Sequence, residues 1–191
     1  MGSLECIVYL GIYATKTFLR LYPLESAISI LWEGLFFSTQ ELIHLIGRTI
    51  GGRLSDRLGY LPVAASGMLL AAFAMGLMPL MQSPLSLLML AIIFGLSQAL
   101  IFTSTLALFV VNMDARHTGT GAEMIGALKN SAKVAGPILG GLLINWQSYA
   151  WMFWGMSILL VLWSLRLILN VLSEKTLNPP KEYGRALSVN S

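Results

Sequence analysis

Glu41, His44 and Arg48 stand three and four positions apart in an otherwise apolar stretch. At ~100° of helical rotation per residue, that spacing puts them on one face about 60° wide. A carboxylate and an imidazole one turn apart could pass a proton or hold a cation. The plainer reading is neutralisation, Glu41 pairing with His44 or Arg48, with Arg48 extending toward a water-facing helix end. Lys129 and Lys133 form a second group, on one stripe with Gly126, Gly136 and Gly140, and Asn130 adjoins the first lysine. Two ammonium groups there suggest attraction for an anionic solute or for a carboxylate on a facing helix; they could equally extend toward the water. Gln98 and Thr105, seven apart, could hydrogen-bond a solute or, as is commoner, another helix. No second His or Cys joins His44, so no metal site is expected there.

The elements that must position these residues follow from composition. Of 191 residues, 56% are hydrophobic and 11% charged, against about 25% charged in a soluble domain. Mean hydropathy is +0.74. So little charge cannot cover a water-facing surface, and the solvent must be a lipid bilayer. The net charge of +3 is spread without a Lys/Arg cluster, which excludes a nucleic-acid footprint. Cys6 is the sole cysteine, so no internal disulfide forms. No basic run precedes the first apolar stretch and no small-residue cleavage motif follows it, so no removable leader is expected.

A membrane-crossing helix needs about 20 mostly apolar residues. Leu31–Gly51, Leu61–Met81, Leu85–Asn112, Gly121–Asn145 and Tyr149–Leu172 qualify, and Leu4–Tyr22 is a weaker sixth, interrupted by Lys16 and Arg20. The expected fold is an all-α membrane protein with six transmembrane helices over residues 1–172. A polar, Pro-broken cytoplasmic tail, expected to be disordered, occupies 173–191. With both termini cytoplasmic, Arg53, Arg57, Arg116, Lys175, Lys181 and Arg185 all lie inside and the outer loops carry only Glu25 and Glu33. That is the asymmetry of the positive-inside rule, and it requires an even number of spans. Trp32, Trp146, Tyr149, Trp151 and Trp154 then gather at the outer boundary as an aromatic belt.

The loop expected after the second helix reads Gly52-Arg53-Leu54-Ser55-Asp56-Arg57-Leu58-Gly59. It resembles the G-x-L-[AS]-D-[RK]-x-G signature of the major facilitator superfamily, which lies between the second and third helices of each six-helix half. In the fifth helix, Gly136-Pro137-Ile138-Leu139-Gly140-Gly141 is similar to the G-P-x-x-G-G element of many facilitator antiporters. The basic pair that usually follows the loop is replaced by Tyr60 and Leu61, and the fourth helix has no intramembrane Arg. Both departures favour the C-terminal half of the family's two-half architecture.

The resemblance implies a major facilitator-type half bundle in a plasma or inner membrane. Its third and sixth helices are expected outermost, and its second, fourth and fifth are expected to line a path at midplane. It implies a cytoplasmic gating loop of Gly52, Asp56, Arg57 and Gly59; a simple topology-setting basic loop is the alternative. Asp56 is expected beside a helix N-terminus, with Arg57 pairing across the loop. Pro137 should bend the fifth helix, since it lacks the amide donor for the carbonyl of Lys133. Gly136, Gly140 and Gly141 are expected at a close helix contact. The expected function is secondary transport of a small solute by alternating access, with Glu41 or His44 coupling a proton or other ion. The expected partner is a second six-helix half or a second copy of the chain. No cofactor is expected. The competing reading is a non-transporting scaffold or partner subunit derived from a transporter half. Neither a Ser/His/Asp set nor an H-E-x-x-H motif supports an enzyme.

Overall fold

The structure, a computed structural model, describes residues 2–18, 30–81, 83–112, 118–146 and 148–177. Among the described residues every regular element is helical: α1 Gly2–Phe18, α2 Ile30–Leu58, α3 Tyr60–Leu77, α4 Pro84–Asn112, α5 Thr118–Trp146 and α6 Tyr149–Leu177. A single 3₁₀ turn, Met78–Leu80, follows α3, with Pro79 inside it. Among the described residues three helices, over Tyr60–Leu80, Pro84–Val111 and Tyr149–Asn170, are long and apolar enough to cross a membrane. α2 and α5, each of 29 residues, are as long as α4 but carry the charged and glycine-rich stripes that lower their hydropathy.

Two boundaries differ from the sequence expectation. α2 does not stop at Gly51 but runs to Leu58, so Arg53, Asp56 and Arg57 lie on its last turns. The break is narrowed to Gly59, whose φ of 94° is open to glycine and strained for other residues. No Pro or Gly interrupts Arg53–Leu58, and a helix continues until something stops it. α6 likewise runs past Leu172 to Leu177, so the first residues of the expected tail are helical. The rest of the tail, from 178, lies outside the described residues, as do Arg20, Glu25, Arg116, Lys181 and Arg185.

α3 is the packed spine. Ala64, Ala65, Ala71, Ala72 and Ala74 are all but fully buried, and these small side chains admit α4 on one side and α6 on the other. Met68, Met75, Met78, Phe94, Met152, Phe153 and Leu160 fill the space between them. α6 is pinned to α3 backbone carbonyls three times: Trp154 Nε1 donates to Gly76 O (3.2 Å), Ser157 Oγ to Ala72 O (2.7 Å) and Ser164 Oγ to Ala65 O (2.9 Å). The numbers fall on α3 as they rise on α6, so these two helices are antiparallel.

α2 and α4 instead run parallel. Ala99 lies against Gly47, Thr103 against Gly51, and Ser55 hydrogen-bonds Ser104 at 2.8 Å, the numbers rising together. α1 and α5 are parallel by the same reasoning. A Cβ on Gly136 would sit 2.8 Å from the Leu10 carbonyl, and one on Gly140 would sit 2.5 Å from the Phe18 ring. Glycine there lets two backbones approach closely. Gly126, on the same stripe, meets nothing within 4 Å. Odd-numbered α1 and α5 point one way, even-numbered α2 and α4 share a direction, and α3 opposes α6. That is the pattern left by a chain that reverses at each connection.

The outer surface is apolar. Leu31, Leu45 and Ile46 on α2, Val110 and Val111 on α4, Val134 and Ile138 on α5, and Leu162 and Leu169 on α6 are all exposed. In water a surface of this kind drives association; in hydrocarbon it is solvated.

Candidate functional site

One stripe of α1 organises the polar residues. Tyr9, Tyr13 and Lys16 are spaced four and three apart, so they lie on one face. Each reaches a different helix. The Tyr9 ring stacks on Phe102 of α4, centroids 4.8 Å apart. The Tyr13 ring lies under Lys133 of α5, with Nζ 5.3 Å from its centroid. The Lys16 ammonium forms an ion pair with Glu41 Oε1 of α2. Tyr9 and Tyr13 also stack on each other, at 6.1 Å.

Around Glu41 the sequence-predicted group is partly assembled. His44 Nδ1 faces Glu41 Oε2 at 3.5 Å, and the His44 ring packs on Phe102, 5.2 Å between centroids. Arg48 is exposed and forms no ion pair with Glu41. The carboxylate therefore takes its cation from α1. It also accepts a hydrogen bond at 3.3 Å from the side-chain amide of Gln40. Glu41 keeps 53% of its side chain exposed and Lys16 29%. The pair thus lies near the middle of α2, open on one side and backed by aromatic rings on the other.

Gln98 stands elsewhere than on an open face. It is buried, and its Oε1 accepts a 3.0 Å hydrogen bond from Gln40 Nε2 across the α2–α4 contact. Gly95, one turn before it, lies against the Gln40 carbonyl so closely that a Cβ would come within 2.5 Å. Thr105 turns back on its own helix, donating to Phe102 O at 3.4 Å. Gln98 thus bridges α4 to α2.

On α5, Asn130 and Lys133 are exposed, and the side chain of Lys129 lies outside the described residues. The helix continues unbroken through Pro137. Gly141 lies 3.5 Å, measured from an added Cβ, from the Phe18 ring, beside the closer contact at Gly140.

The Gly52–Gly59 motif is built differently from its expectation. Asp56 sits in the last turn of α2, where a carboxylate faces the negative end of the helix dipole, and not at an N-terminus. The cap residue of α3 is Gly59, with no side-chain cap hydrogen bond. Asp56 and Arg57 are both exposed, and among the described residues neither forms an ion pair.

Lys16, Tyr13 and Gln40 are the site residues that sequence reasoning passed over. A signal for Lys16 was present. A lysine inside an apolar helix needs an opposite charge on a neighbour, and Glu41 is the carboxylate nearest the middle of the next span. Gln40 carried no comparable signal, since its importance depends on which α4 residue it meets.

Comparison with known proteins adds sequence relationship to this geometry. The model of the Major Facilitator Superfamily matches residues 3–189. The Multidrug resistance protein MdtH of Aeromonas salmonicida is 30% identical over 114 residues, which cover 60% of this chain and 29% of that protein. Its namesake in Aeromonas hydrophila is 31% identical over 114 residues, with the same shares. The match thus spans 29% of the length of these relatives.

Proposed function

The chain belongs to the Major Facilitator Superfamily, and from that premise we propose that it works as one six-helix half of a secondary transporter. Membership makes it a multi-pass membrane protein of a family of transporters and not of enzymes. The proposal goes further. All six helices cross the bilayer, both termini are cytoplasmic, and the half rocks against a second half or a second copy to give alternating access to a small solute. α2 and α5 are about 43 Å long at ~1.5 Å per residue, enough to cross a core of about 30 Å.

The observation that supports this reading best is the half-open Lys16–Glu41 pair with His44 beside it, inside an otherwise apolar bundle. Charges at membrane depth persist where they line a water-filled path. Here Glu41 can exchange its ammonium partner for a proton, and that exchange would loosen α1 from α2. Lys133 and Asn130 extend the polar lining onto α5. The motif from Gly52 to Gly59, with its single hinge residue, acts at the cytoplasmic end of α2 as a gate.

The relatives are named for multidrug resistance, which makes drug-like solutes the first to try. The exposed Lys133 favours adding anionic solutes to the panel. Reconstituted in proteoliposomes, with a second six-helix half supplied where needed, the chain should move a member of that panel under an imposed proton gradient. If no gradient-driven movement occurs, and the chain instead co-purifies stably with another membrane protein, the scaffold reading takes its place.

A further inference from the structure

Three polar atoms at the α2–α4 contact have no hydrogen-bond partner among the described residues: Gln40 Oε1, Gln98 Nε2 and His44 Nε2. Gln40 is 0% exposed and Gln98 1%. Orphaned buried polar atoms are rare because each forfeits its hydration, and three within two helical turns demand a common explanation. They belong to adjacent rungs. His44 follows Gln40 by one turn on α2, and Phe102 follows Gln98 by one turn on α4. Gln40 bonds Gln98 at 3.0 Å, and His44 packs on Phe102 at 5.2 Å.

Exchanging the oxygen and nitrogen of both amides does not resolve the cluster. It would set a Gln40 carbonyl oxygen against the Glu41 carboxylate, where Nε2 now donates at 3.3 Å. We propose that the cluster is a binding site for a single water molecule held between α2 and α4. The chemistry of the free atoms selects that class of ligand. Gln40 Oε1 is an acceptor, Gln98 Nε2 a donor, and His44 Nε2 either, depending on its tautomer. A metal cation would face the Gln98 donor and an anion would face the Gln40 oxygen, so the ligand must both donate and accept. Size selects it as well. Above the site Gly95 lies against the Gln40 carbonyl, and below it Gly47 lies against the Ala99 methyl, where added Cβ atoms would come within 2.5 and 2.8 Å. Helices this close favour a small ligand, and three polar partners match the usual coordination of a buried water.

The site has a consequence for Glu41. Gln40 Nε2 serves both Gln98 and Glu41, and His44 presents its other nitrogen to the same carboxylate. The water completes this network, so the carboxylate connects to α4 through Gln40 and Gln98 as well as through His44 and Phe102.

The site is independent of whether the chain transports anything, and its test needs no transport. A map of the detergent-solubilised chain that resolves ordered waters should show a peak at about 2.7–3.2 Å from at least two of the three atoms. The same three side chains closing directly on one another, with no peak, overturns the proposal.

Discussion

Lys16 of α1 and Glu41 of α2 form an ion pair across 25 residues of chain, and it ties together two helices that otherwise pack mainly on other partners. Exposed pairs contribute ~0–1 kcal/mol, whereas breaking a fully buried one costs roughly 3–5. With about half of the Glu41 side chain exposed, its stability contribution belongs near the lower figure. Glu41→Gln should therefore leave folding largely intact. Proton-driven solute movement should fall to the level seen without a proton gradient, since a glutamine side chain cannot take up and release the proton. Exchanging the charges, Lys16→Glu with Glu41→Lys, should restore the helix contact measured by cross-linking α1 to α2 more fully than it restores coupling. Proton-driven uptake by Glu41→Gln at the unaltered rate would remove this residue from the mechanism.

Adjacent glycines of α2 provide a sharper contrast in stability. A Cβ on Gly51 would meet Thr103 Oγ1 at 2.5 Å and the Ala99 carbonyl at 3.0 Å, while one on Gly52 meets nothing within 4 Å. Overpacking typically costs about 1–3 kcal/mol, and an unhindered Gly→Ala in a helix gains up to about 1 kcal/mol. Gly51→Ala should lower the melting temperature in detergent and Gly52→Ala should hold or raise it. A transport defect in a stable Gly52→Ala protein would then report on the gate and not on folding.

Gly59 is expected to tolerate no side chain. Its φ of 94° and ψ of 151° lie in a region open essentially to glycine alone, and it is the sole hinge between α2 and α3. Holding another residue there costs of order 1–3 kcal/mol. Gly59→Ala should reduce thermal stability by that amount, and equal melting temperatures would mean that the turn can relax to another geometry.

Pro137 separates bending from stability. Replacing it by Ala supplies the N–H that the Lys133 carbonyl lacks within α5, and Pro in a helix interior costs roughly 3 kcal/mol relative to Ala. Pro137→Ala should melt at the same temperature or higher. If a flexible α5 is needed for alternating access, transport should drop at the same time. Undiminished transport would assign the proline no part in the motion.

Much of this architecture was legible from residue order. α3, α4 and α6 announced themselves because long apolar runs have no alternative to lipid or core, and Gly136 and Gly140, read as a stripe on α5, lie against Leu10 and Phe18 of α1. The end of α2 was misread because Gly52–Gly59 looks polar enough for a loop. Polarity at the end of a membrane helix signals water, not the loss of helical structure, and only Gly59 breaks the backbone. The site was half legible. Periodicity joined Glu41 to His44 on one helix, but it cannot reveal which residue of another helix arrives opposite, so Lys16 and the Gln40–Gln98 bond stayed hidden. Arg48 shared the predicted face and still lies apart, since its long flexible side chain extends from α2 to an exposed position while Lys16 pairs with Glu41.

The most direct test concerns whether the polar stripe faces water within the bilayer. With Cys6 replaced by Ser, single cysteines would be placed at Glu41, on the α1–α2 face, and at Leu69, exposed on the apolar side of α3. Reaction rates with a small hydrophilic thiol reagent would then be compared in intact membranes. Rapid labelling at position 41 and none at 69 is the expected result. Equal inertness at both positions would place Glu41 against lipid or protein and would contradict an aqueous transport path along α1, α2 and α5.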